Sequence, residues 1–171
     1  MDTLWAPWRM SFIEGKTSRE EGCVFCNRIR LPKDRWREYG VLDVGPHTMV
    51  LMNRYPYANG HLLIIPNRHC CDLSALSTEE YHDLTWVLRT SVERMRAALQ
   101  PQGFNVGMNL GSAAGAGIAD HLHFHIVPRW NGDHNFMPVI GDVRVMPEYL
   151  EATYDRLFSY FENIAQMGPL Q

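Results

Sequence analysis

The stretch His121-Leu-His-Phe-His-Ile-Val-Pro128 constrains this chain more than any other. In an extended strand, successive side chains point to opposite faces. The alternation therefore predicts a strand over 121–128 with His121, His123 and His125 on one face. Leu122, Phe124 and Ile126 take the other face and anchor it to a core. Three of the chain's 8 histidines fall at these alternate positions. Titratable groups gathered in this way mark functional sites, the plain alternative being a solvated strand face. Two chemistries fit the pattern. Strand histidines at i and i+2 can ligate zinc, and a neutral imidazole can attack phosphorus and form a covalent intermediate.

The segment before this strand favours the second chemistry. Gly111-Ser-Ala-Ala-Gly-Ala-Gly117 is rich in small residues whose backbone N–H groups can form a nest for an anion. It is not a nucleoside-triphosphate P-loop, because no Gly-Lys-Ser/Thr closes it and a strand follows instead of a helix.

Further strands are predicted over Thr48–Asn53, His61–Pro66 and Phe104–Leu110, with a turn at Arg54–Gly60 holding Pro56, Asn59 and Gly60. Ser77-Thr-Glu-Glu80 reads as a capping box. The apolar positions Tyr81, Leu84, Leu88, Val92, Met95 and Leu99 step by three and four from it, predicting a helix that ends near Pro101. A second helix is expected from about Pro147, with Leu150, Tyr154, Leu157, Phe161 and Ile164 on its buried face. The segment Leu31–Glu38 reads as a charged surface loop. Clustered hairpin strands with two main helices indicate an α+β fold built on an antiparallel sheet.

A length of 171 residues suits one domain, and a formal net charge of −3 argues against a non-specific binder of polymeric nucleic acid. No apolar run is long enough for a membrane span. Residues 1–15 lack a signal-peptide pattern, so the cytoplasm is the expected location. Trp5 and Trp8 read as packing residues. The cysteines stand as Cys23-Val-Phe-Cys26 and the adjacent pair Cys70-Cys71. Metal ligation or buried thiols suit this setting better than disulfides, and Cys70 and Cys71 read as small buried hydrophobes.

His121-Leu-His-Phe-His-Ile-Val127 resembles the signature of the histidine triad family, in which histidines alternate with hydrophobic residues. Gly60-His61-Leu-Leu-Ile-Ile-Pro66 and Asn109-Leu-Gly111 are similar to that family's neighbouring motifs. Leu51-Met-Asn53-Arg-Tyr-Pro56 resembles the branch that cleaves dinucleoside polyphosphates. Leu4–Arg9 and Pro128–Met137 resemble bacterial members acting on diadenosine tetraphosphate. The likeness runs from about residue 23 to 129, implying one domain over 1–171 with extensions at both ends. It also implies a sheet of about five strands and a homodimer.

The resemblance assigns roles by position. His123 is the nucleophile. His61, His125 and the remaining triad member His121 complete the catalytic set, with His61 and His125 donating to phosphate oxygens. Asn109 and the amides around Gly115 and Gly117 hold the phosphate chain, and Asn53 takes the ribose hydroxyls. Phe25, Leu51 and Leu63 are candidates for a base pocket or for ordinary core. Arg129 is a candidate phosphate contact, and Arg129 and Trp130 are equally readable as interface packing. Cys23, Cys26, His69 and His121 match the ligand set of zinc-bearing relatives, implying one structural zinc. Any Mg²⁺ would arrive with the polyphosphate substrate.

The expected activity is cleavage of dinucleoside polyphosphates through a nucleotidyl-histidine. Gly115-Ala-Gly117 stands where hydrolases of the family carry a polar side chain, which leaves water and phosphate both open as acceptors. The rivals are a purine nucleoside phosphoramidase, a non-catalytic nucleotide-binding module and a three-histidine metalloenzyme.

Overall fold

The computed structural model describes residues 21–133, 146–162 and 164. Trp5, Trp8 and His134 lie outside them, as do the motif at 4–9 and the end of the motif at 128–137. Five strands form one antiparallel sheet: β1 (Val41–Val44), β2 (Thr48–Met52), β3 (Leu62–Pro66), β4 (Gly103–Met108) and β5 (Phe124–Arg129). Their order across the sheet is β1-β2-β3-β5-β4. Among the described residues, four α-helices accompany them: α1 (Val24–Ile29), α2 (Trp36–Tyr39), α3 (Thr78–Leu99) and α4 (Leu150–Phe161). The architecture is the α+β one expected, with α3 and α4 as its two main helices. No helix among the described residues is long and apolar enough to cross a membrane.

The central strands β2 and β3 are buried at every position because both of their faces are covered, and all their residues but Thr48 are apolar. Val50, Met52, Leu62 and Ile64 point into a cluster shared with Leu84, Val87, Met95, Tyr154, Leu157 and Phe161 of α3 and α4. Met49, Leu51, Leu63 and Ile65 point the opposite way, into a cluster with Phe25, Trp36 and Val41. Each of these fully buried side chains contributes about 1.5–3 kcal/mol through removal of apolar surface from water.

Helix α3 begins as expected. Ser77 caps Glu80 N–H and the Glu80 side chain returns to Ser77 N–H. Its buried face is rotated from the expected one. Val87, Thr90 and Ser91 join Leu84, Met95 and Leu99 inside, whereas Tyr81 is exposed and Leu88 and Val92 only flank the core. Buried Asp83 drives part of this rotation, since its carboxylate accepts from the Thr48 hydroxyl of β2 at 2.6 Å.

Other local expectations need correction. The segment Leu31–Glu38 is not a plain loop. A 3₁₀ turn over Lys33–Arg35 leads into α2, and Trp36 is buried with its indole N–H donating to Leu31 O. Helix α4 starts at Leu150, not beside Pro147. Cys70 is buried but Cys71 is exposed. The triad strand starts at Phe124, so His121 and His123 precede it.

Candidate active site

The alternation of the triad segment continues ahead of β5 although its first residues form no ladder. Leu122 enters the helix-side core, and its N–H donates to Cys70 O at 2.7 Å. His121 and His123 turn to the opposite side, where the ring of Phe25 meets both. Within β5, His125 pairs with Leu63 of β3 on one side and Gly107 of β4 on the other. Directly paired residues share a face, so Leu51, Leu63, His125 and Gly107 form a row across the sheet. A Cβ at Gly107 would touch nothing within 4 Å, so the sheet is open beside His125.

Hydrogen bonds fix each imidazole in one tautomer. His123 Nδ1–H donates to the carbonyl of His121 at 2.9 Å, which leaves Nε2 as a lone pair. Nδ1 of His61 accepts from the backbone N–H of Tyr57 at 3.1 Å, with Nδ2 of Asn53 a further 3.3 Å donor. Nδ1 of neutral His61 therefore carries no hydrogen. Its Nε2–H donates to Nδ1 of His125 at 3.0 Å. His125 in turn must carry its own proton on Nε2. The set thus offers a nucleophilic lone pair on His123 and an N–H donor on His125. Burial holds the His125 imidazole well below the usual histidine range, down to about 4, with the neighbouring His123 adding to the effect. His125 is therefore neutral at physiological pH.

His121 leaves this trio. Its Nε2–H donates to Pro66 O at 2.8 Å, and its Nδ1 lone pair faces Cys23 Sγ at 3.2 Å and Cys26 Sγ at 3.6 Å. His69 Nδ1 lies 3.4 Å from Cys26 Sγ. The expectation that three imidazoles line one reaction site is thus corrected, since one of them belongs to a cysteine cluster. All four ligand atoms lie within 4.8 Å of one another. A tetrahedral zinc with Zn–S of about 2.3 Å and Zn–N of about 2.0 Å separates its ligands by about 3.3–3.8 Å. The donor set and the spacing both fit such an ion. Burial pushes the Cys26 thiol and the His121 imidazole in opposite directions, the first up and the second down.

The remaining expected residues divide. Phe25, Leu51 and Leu63 do come together beside the histidines, packed as core with 2%, 6% and 5% exposure. Asn109 follows Gly107 at the end of β4, and its Nδ2 donates to Gly115 O at 3.4 Å, closing the loop that contains Gly111 and Gly117. That loop is exposed and turns through 3₁₀ geometry at Ser112–Ala114. Asn53 has two tasks within the chain itself: Oδ1 accepts from Tyr55 N–H at 2.9 Å while Nδ2 approaches His61. Arg129 does not offer a free guanidinium. It grips Asp133 through two nitrogens at 2.6 and 3.0 Å, and its Nη1 donates to Asn105 at 2.8 Å. Trp130 packs against the helix-side core.

Sequence reasoning missed Tyr57, whose backbone sets the His61 tautomer and whose ring lies against both His61 and His125. The only available signal was its place in the turn that leads into Gly60-His61.

The HIT domain family model matches residues 41–132. An AP-4-A phosphorylase of Mycobacterium tuberculosis is 34% identical over 157 residues, spanning 90% of this chain and 80% of that protein. An adenosine 5'-monophosphoramidase of Schizosaccharomyces pombe is 26% identical over 80% of this chain and 96% of its own length. A zinc-bound histidine triad protein of Mycobacterium smegmatis has a similar structure, with a TM-score of 0.64 and 25% identity over 84% of this chain and 95% of that one. With the paired histidine motifs folded into one site and the family model covering more than half its length, the chain belongs to the HIT, or histidine triad, family.

Proposed function

We propose that this protein cleaves dinucleoside polyphosphates of the diadenosine tetraphosphate kind, passing through a nucleotidyl group on His123 and using inorganic phosphate as acceptor. The observation that carries this reading is the fixed lone pair on His123 Nε2, held by the bond from Nδ1–H to His121 O. Nε2 attacks the α-phosphorus, the bond to the bridging oxygen breaks, and ATP departs. The His125 Nε2–H and the loop amide of Gly117 stabilise charge on the phosphoryl oxygens. Phosphate then attacks the same phosphorus, restoring His123 and releasing ADP.

Two facts support phosphate over water. The relative from M. tuberculosis bears the name of a phosphorylase. Position 117 opens onto unfilled space in an exposed loop where an anion can approach the Gly117 amide, whereas the Ala114, Gly115 and Ala116 N–H groups donate to Gly111 O and Ser112 O within the loop. Arg129 is no part of this proposal, since Asp133 and Asn105 engage it.

The test is product analysis of diadenosine tetraphosphate with and without inorganic phosphate. Phosphorolysis yields ADP plus ATP and requires phosphate. AMP plus ATP at an undiminished rate without phosphate would assign water as acceptor. Turnover only of an adenosine phosphoramidate would favour the activity named for the S. pombe relative.

The cysteine-histidine cluster fits one structural zinc, held by Cys23, Cys26, His69 and His121. Such an ion ties α1 to the segments that follow β3 and precede β5 and takes no part in the chemistry at His123. We also read residues 1–171 as one domain and the protein as a cytoplasmic homodimer. Supporting the dimer, β4 forms a sheet edge on which Val106 is exposed, and Leu110 just beyond it is exposed too. Sedimentation showing only a 19.7 kDa species at micromolar concentration would refute the dimer.

A further inference from the structure

Tyr57 touches the site in two independent ways. Its backbone N–H donates to His61 Nδ1 at 3.1 Å. Its ring lies 4.7 Å from that of His61 at an interplanar angle of 37°, and 5.9 Å from that of His125 at 23°. The two imidazoles are themselves 5.1 Å apart and joined by the bond from His61 Nε2–H to His125 Nδ1. One residue of the β2–β3 turn therefore contacts both members of the pair. Although 45% of Tyr57 is exposed, the pair inside it is not: His61 is 1% exposed and His125 is partly buried. The ring stands between these imidazoles and solvent.

We propose that Tyr57 is a positioning residue for the nucleotidyl transfer, directing the His61–His125 hydrogen-bond chain with its amide and shielding that chain from water with its ring. The proposal rests on the functional reading given above. The direction of the chain matters because only one direction leaves His125 with Nε2–H toward the site. Reversal would put the His125 proton on Nδ1, turned back toward His61, and leave a lone pair facing the substrate oxygens. A nitrogen lone pair turned toward the phosphoryl oxygens would repel their developing charge instead of stabilising it.

The ring adds selectivity for the neutral state. His125 faces His123 along the same segment, His61 ahead of β3, and Tyr57 from the turn. Its direct neighbours in the sheet are Leu63 on β3 and Gly107 on β4, neither of which carries charge. No carboxylate among these neighbours favours an imidazolium, so water access is the variable that the ring controls.

The experiment compares Y57F, Y57A and Y57P with the unaltered protein, all with the metal they carry as purified. Long-range ¹H–¹⁵N spectra of labelled protein report the His61 and His125 tautomers without any substrate. Steady-state kinetics on diadenosine tetraphosphate across pH report the chemistry. Y57F keeps both ring and amide and is expected to match the unaltered protein within about threefold, whereas Y57A is expected to lose about tenfold or more in kcat with KM within about twofold. Y57F and Y57A both retain the backbone N–H of residue 57, so the tautomers should hold in each while the acid limb of the Y57A rate profile moves to higher pH; Y57P, which lacks that N–H, should show mixed His61 and His125 tautomers. Unchanged tautomers in Y57P, or an unchanged profile in Y57A, would overturn the proposal. A rise in KM at constant kcat would also overturn it, making the ring a binding surface. If the unaltered protein cleaves no dinucleotide, the functional reading fails, while the spectra and the His125 titration still decide whether Tyr57 positions the pair.

Discussion

The ring of Phe25 lies 5.1 Å from that of His123, packed there from the helix whose N-cap is Cys23 and whose first turn holds Cys26. His123 and the cysteine cluster are thus joined twice. His121 contributes its side chain to the cluster and its carbonyl to His123 Nδ1–H. Phe25 closes the loop from the other side, touching the rings of both histidines. Anything that frees α1 from His121 loosens the orientation of the His123 ring without contacting it.

Metal removal is the direct way to do that. Protein purified without chelator should contain about one zinc per chain, as a closed Cys₂His₂ site would. Chelation should lower Tm by about 10 °C or more, corresponding to a few kcal/mol in a domain of this size. Activity should fall with it and return with zinc. A chelated protein that melts at the same temperature would remove zinc from the account of this fold.

The histidines should separate in kinetics. His123→Ala removes the attacking group, so turnover should drop by about 10³-fold or more and no nucleotidyl adduct should appear in intact-mass spectra. His125→Ala keeps the nucleophile and loses a donor, for which a loss of about 10²–10⁴-fold is expected. Brief exposure of that variant to substrate should still show a nucleotidyl adduct. Equal, near-normal activity in both variants would exclude covalent catalysis at this site.

Much of this organisation is written locally. The capping box at Ser77, the apolar runs of β2 and β3, and the histidine alternation each need only a few adjacent residues to express themselves. Strand β1 was not legible because Val41–Val44 is four residues long and includes buried Asp43. Helix α1 was hidden in a six-residue segment better read as a metal motif. The parity rule placed His121 with His123 and His125, yet parity specifies a face and not a destination. The carbonyl of Pro66 and the thiols of α1 draw it elsewhere. Asn53 and Arg129 show the same limit. Their partners are a turn amide, a neighbouring histidine and the nearby acid Asp133, none of which follows from the residue's own position in a motif.

Acid should destabilise the protein through His125. Its folded value near 4 lies below the ordinary histidine value of about 6.5. Between those values the unfolded chain binds a proton that the folded chain does not. Stability therefore rises with pH across that window and levels off above it. Denaturant melts at a series of pH values should show this loss on going from about 6.5 toward 4, and His125→Gln should flatten part of it. An NMR titration in which His125 takes up its proton near 6.5 would contradict the buried, neutral imidazole.

Gly60 offers a test of how finely the turn before His61 is set. Its φ is +77°, a conformation that costs an L side chain energy, and a Cβ there would lie 2.6 Å from Cδ1 of Leu99 near the end of α3. Leu99 is itself buried in the helix-side core, so it has little freedom to withdraw. Gly60→Ala must therefore either strain the turn or push the helix end, at a cost of about 1–3 kcal/mol. His61 is the next residue, and its N–H donates to Ala58 O while its ring receives the Tyr57 amide. A shift at residue 60 thus reaches the histidine pair before it reaches anything else in the site. Gly60→Ala should lose both stability and kcat, and adding Leu99→Ala should relieve the contact and recover part of the activity despite opening a cavity. Thermal melts and kinetics on the single and double variants measure both effects. A Gly60→Ala protein that melts and turns over like the unaltered one would mean that the turn adjusts freely and does not hold His61 in place.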